Sequence, residues 1–184
     1  MTTTATVVLI IVIAVIVIAA LALFVWRSQR SRALRSRFGP EYYRAVREFG
    51  GRSRAEDELM ARQRRVENIS IRALTMSQRE DFAEQWHIIQ ARFVDDPPGS
   101  IREADRLVSD VMLARGYPME DFERRAEDIS VHHPHVVRNY RAGHAIAVRD
   151  ARGESTTEDL RRGLVFYRDL FDELLETQPT APRR

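Results

Sequence analysis

The chain has 184 residues, room for one membrane helix and one modest domain. It has no Cys, which excludes disulfides, thiolate zinc sites and a cysteine nucleophile. The net charge of +2 conceals a polarity: residues 27–65 carry 12 Arg against 5 acids, a net of +7, and residues 66–184 carry 17 Arg against 22 acids, a net of −5. Every basic residue is Arg, and so uniform a usage points to genome composition rather than to any one site.

Residues 5–26 hold no charge and one hydroxyl beyond their first residue, Thr6. About 20 apolar residues at a rise of 1.5 Å cover a hydrocarbon core of about 30 Å, so the segment is expected to be a transmembrane helix. A cleaved signal peptide fits less well. Residues 1–4 have no charged side chain, and the apolar run continues through Leu23-Phe24-Val25-Trp26, past Ala20 and Ala22. Trp26 is the expected interface anchor. Beyond it Arg27, Arg30, Arg32, Arg35 and Arg37 follow with no acid between them, and the positive-inside rule places this side in the cytoplasm. The expected topology is single-pass in the plasma membrane, with residues 1–4 outside and the remainder inside. The same five arginines are candidates for contact with anionic lipid headgroups. Nothing in the pattern supports a nucleic-acid interface: aromatic interleaving and a named motif are both missing.

Past the membrane the signals are helical, which predicts an all-α fold with a small bundle. Residues 27–69 read as an Arg-rich juxtamembrane segment and helical stalk, residues 70–176 as the bundle and residues 177–184 as a disordered tail. Gly39-Pro40 should break the helix leaving the membrane and start another. A charged run follows Ser53, with Leu59, Val66 and Ile69 on a weak stripe. Ser77 to Glu80 is a capping box opening a helix with Phe82, Trp86, Ile89 and Phe93 on one face. Asp96-Pro97-Pro98-Gly99 interrupts, and Ser100 to Glu103 makes a second box. Gly116 and Pro118 stop that helix. A shorter one spans about 119–128, Pro134 opens another that Gly153 ends, and Thr156 with Asp159 caps the last. The last carries the strongest stripe: Leu160, Leu164, Tyr167, Phe171 and Leu174.

Arg-Phe-Gly-Pro-Glu-Tyr at 37–42, Glu-Gln-Trp at 84–86, Gln-Ala-Arg-Phe-Val-Asp-Asp-Pro at 90–97, Arg-Gly-Tyr-Pro at 115–118, Asp-Phe-Glu-Arg-Arg-Ala at 121–126 and His-Pro-His-Val-Val at 133–137 occur in that order. Through them the chain resembles a family of uncharacterised, single-span, membrane-anchored helical proteins of actinobacterial type, over about residues 35–176. The resemblance implies the anchored helical architecture and carries no activity.

Chemistry is sparse. His132, His133 and His135 surround Pro134, but three and four residues past His135 stand Arg138 and Asn139, neither a usual zinc ligand. His144 falls on an apolar stripe and reads as a hydrogen-bonded core residue; His87 stands alone. Asp95-Asp96, Glu56-Asp57-Glu58 and Glu120-Asp121 mostly fall at helix starts, where acids complement the macrodipole. Phe38, Tyr42, Tyr43 and Phe49 flank the arginines and could lie on the bilayer or pack on the bundle. Gly-rich phosphate loops and the short hydrolase motifs are missing, so no catalytic, metal or cofactor residue is assigned. The leading expectation is a non-enzymatic interaction or scaffold module with an unknown protein partner at the inner membrane face. The alternatives are a ligand-binding or enzymatic bundle using Tyr140, Arg141 and His144, and a structural protein sensing anionic lipid through residues 27–49.

Overall fold

A computed structural model describes residues 2–176, with side chains from residue 12 onward. Among the described residues the protein is all-α. The tail of 177–184 lies outside them.

Helix α1 (Thr2–Phe38) is one unbroken rod that carries the apolar segment straight through the arginines. Its apolar residues are bare: Ile16 is 61% exposed, Phe24 71% and Trp26 59%. Monomeric soluble domains rarely leave such a surface uncovered, and one this large marks a contact with a membrane or another protein. The helix is long and apolar enough to cross a membrane, and none of its most apolar window is buried against the rest of the chain. Gly39 ends it at φ 49°, in the left-handed region, and Pro40 opens α2 (Pro40–Glu48). Gly50 at φ 65° and then Gly51 reverse the chain into α3 (Arg52–Glu67).

Phe38, Tyr42 and Phe49 pack on the protein, while Tyr43 stays 57% exposed. Leu34 and Phe38 of α1, Tyr42 and Ala45 of α2, Ala55, Leu59 and Val66 of α3 and Val131 form one buried cluster, with Phe49 packed against it. Residues 40–67 are therefore a hairpin folded back on the foot of α1.

The larger core belongs to α4 (Met76–Arg92), α5 (Pro97–Ala114), α7 (Val137–Asp150) and α8 (Thr157–Glu176). Trp86 stacks on Phe171 at 4.8 Å between ring centroids, joining α4 to α8. Helix α6 (Phe122–His132) faces both cores, giving Ala126 and Ile129 to the larger and Val131 to the smaller. Two helical glycines let α5, α7 and α8 approach closely. A Cβ on Gly163 would stand 3.1 Å from Ile101 and 3.2 Å from Ile146, and one on Gly143 would stand 3.3 Å from the Tyr167 ring.

Two caps differ from the sequence reading. Helix α4 starts on Thr75, whose hydroxyl accepts from the Gln78 N–H while the Gln78 side chain accepts from the Thr75 N–H; Ser77 lies inside the helix. Both boxes satisfy the local pattern, and the chosen one leaves Leu74 buried just before the cap. Helix α5 starts on Asp96, which accepts from the Gly99 N–H at 2.9 Å, so Pro97 and Pro98 form its first turn and Ser100 is buried within it. Helix α6 starts and ends later than expected, capped by Asp121, and α7 begins at Val137 after a turn through Pro134. Thr156 and Asp159 make the expected box at α8.

Candidate functional site

The hairpin brings the start of α3 alongside the foot of α1, and a cleft of about 550 Å³ opens between them. Helix α1 lines it with Phe24, Arg27, Ser28, Ser31, Arg32 and Arg35; α3 answers with Arg52, Ser53 and Glu56. A second cleft of about 320 Å³ adjoins it, bounded by Leu23, Trp26, Arg27 and Arg30 on one side and Ser53, Glu56 and Asp57 on the other. Both lie where the apolar stretch of α1 gives way to charge.

The five arginines divide by their partners. Arg30 pairs with Asp57 at 2.8 Å, and its guanidinium lies 5.8 Å from the centre of the Trp26 ring. Arg35 lies 5.2 Å from the centre of the Tyr42 ring. Arg37 is exposed and lines neither cleft. Among the described residues, Arg27, Arg32 and Arg52 lie beyond ion-pair reach of every carboxylate. The one acid in the larger cleft, Glu56, accepts from the Tyr42 hydroxyl at 2.8 Å, and that hydroxyl is 3.3 Å from Ser31. The N-cap of α3 is Gly51, which has no side chain to accept from the first turn, so the partial positive charge of that helix end adds to the arginines. Arg52 was not among the residues singled out from sequence. The signal was there in Gly50-Gly51 preceding Arg52-Ser53-Arg54, a reversal that starts a basic helix.

Tyr140, Arg141 and His144 pack into the bundle, where the Tyr140 hydroxyl and His144 Nδ1 are buried with no hydrogen-bond partner among the described residues. His144 stacks on Phe122 at 3.6 Å, with Nδ1 3.6 Å from Asp105, and Tyr167 donates to Asp105 at 2.7 Å. Burial pushes the Asp105 carboxyl up, but the nearby His144 imidazole, the Tyr167 hydrogen bond and the charge of Arg125 outweigh it and hold the group below the usual carboxylate value. Tyr140 is fully buried, and Arg141 bridges Glu123 and Glu41.

His133 and His135 converge on one acid, Glu173. His133 Nδ1 is 2.8 Å and His135 Nε2 is 3.2 Å from the two oxygens of Glu173. No group of three metal-ligating side chains occurs among the described residues. Burial pushes the His133 imidazole below its ordinary value of 6.5, against the pull of Glu173. A histidine whose folded-state value is depressed supports the fold above pH 6.5 and withdraws that support as the pH falls, because unfolding then takes up a proton. Stability of the full chain should therefore decline below pH 6.5 by up to about 1.4 kcal/mol per pH unit from this group. His133→Gln should flatten the decline below 6.5, read from chemical denaturation at several pH values. An unchanged slope in the variant would remove His133 as its source.

Compared with protein-family profiles, curated proteins and solved structures, the chain matches none.

Proposed function

We propose that the protein is a single-pass membrane protein whose helical domain is held against the cytoplasmic face of the plasma membrane as a non-enzymatic interaction module. The observation that carries this reading is the continuity of α1. The helix that would cross the bilayer runs without a hinge to Phe38, and Leu34 and Phe38 are buried in the domain itself. A domain attached in this way has a fixed height and orientation on the membrane, which concentrates it near membrane-bound partners. The arginines that follow Trp26 supply the orientation, through the positive-inside rule.

The absence of native Cys makes a clean test possible. In intact cells, Thr3→Cys should react with a membrane-impermeant maleimide, and Glu154→Cys should react only after permeabilisation. The opposite pattern, or equal labelling of both, would overturn the topology. A photo-crosslinking side chain at Val94, which is 84% exposed, should then give a reproducible adduct with another protein in the same cells. Its absence would count against the interaction role.

A further inference from the structure

We propose that the cleft between the foot of α1 and the start of α3 holds the phosphate of an anionic phospholipid. The phosphate needs cationic donors that are not already paired, and Arg27, Arg32 and Arg52 converge on the cleft with no carboxylate partner among the described residues. Guanidinium groups suit it because they offer forked N–H donors to paired oxygens. Ser28 and Ser53 add hydroxyls at the wall. The acid that could repel it, Glu56, is turned to the Tyr42 hydroxyl, and Asp57 is neutralised by Arg30.

The surroundings select a lipid over a free phosphate. Phe24 lines the cleft on the side of the apolar stretch, and Leu23 and Trp26 line its neighbour. All three are well exposed, and they lead from the arginines onto the apolar surface of α1. A phospholipid seated with its phosphate among the guanidinium groups would lay its acyl chains along these residues. A soluble phosphate would leave them uncovered. This assignment rests on α1 crossing the bilayer, which the maleimide labelling tests separately.

The experiment uses the full chain in dodecyl maltoside micelles, with bound lipid counted by native mass spectrometry. Phosphatidylglycerol and phosphatidylcholine of the same acyl chains are offered in turn. The wild type should retain phosphatidylglycerol over phosphatidylcholine by about tenfold or more, and Arg32→Gln combined with Arg52→Gln should abolish that preference. Arg64→Gln combined with Arg138→Gln removes the same charge at exposed positions outside the cleft, and should leave the preference intact. All four arginines are exposed, so melting of both variants should match the wild type. Equal loss in the two double variants would replace the cleft with a diffuse field and overturn the proposal. No preference in the wild type would do the same. Full displacement of phosphatidylglycerol by millimolar inorganic phosphate would assign the cleft to a soluble anion and reject the lipid.

Discussion

Phe171→Ala is expected to lower the stability of the domain by about 4 kcal/mol, the usual consequence of removing a large buried ring that its neighbours cannot replace. Phe171 is 2% exposed and stacks on Trp86, itself 4% exposed, so its ring is shared between α8 and α4. Helix α4 has few other anchors, with Trp86 and Ile89 its only buried residues. The variant should therefore loosen α4 before the α7–α8 pair. Tryptophan fluorescence reports this directly. Trp86 should shift to the red at a lower denaturant concentration than in the wild type, while Trp26 on α1 keeps its own environment. A midpoint unchanged within error would mean that the stack contributes little and that α4 is held by its caps.

Glu127→Ala should be nearly as damaging, by about 3 kcal/mol, and for an electrostatic reason. Glu127 accepts from Arg62 at 2.9 Å, and from Arg65 and Arg124 at 3.2 Å each. Arg62 is only 2% exposed, so without Glu127 its charge stays buried with one partner, Glu58 at 3.3 Å. Arg65 suffers less because it keeps Asp128 at 2.8 Å. An unpaired buried charge is worse than no charge, so adding Arg62→Met to Glu127→Ala should recover part of the loss. A double variant no more stable than Glu127→Ala alone would show that the damage lies elsewhere. Because this network fastens the last turns of α3 to α6, the single variant should loosen that end of the helix, while the start of α3 keeps Arg30–Asp57 and Tyr42–Glu56.

The largest readings were local and therefore legible in sequence. The apolar run that ends at Trp26 declares a helix long and apolar enough to cross a membrane, because length and lack of charge depend on no neighbour. Gly39-Pro40 marks the break that α1 makes, and Thr156 with Asp159 marks the start of α8, because turn and cap chemistry acts over three or four residues. The stripe from Leu160 to Leu174 foretold the face of α8 that lies in the core.

Where two local solutions were equally good, packing chose. Thr75 and Ser77 both satisfy a capping box, and burial of Leu74 separates them. Phe38 and Tyr42 could have lain at headgroup depth, and a hairpin that returns α3 to the foot of α1 buries them instead. The arginine cluster was visible as charge, but its division was not. Arg30 acquires Asp57 from a residue 27 positions away, whereas Arg27 and Arg32 meet Arg52 across a cleft. The histidines near Pro134 show the same limit, since Glu173, 40 positions from His133, is what draws His133 and His135 together. Helix formation, capping and membrane competence are decided by interactions within a few residues and by composition. Pairing between distant side chains depends on which helices come to lie side by side, and that is decided by the close packing of the two cores.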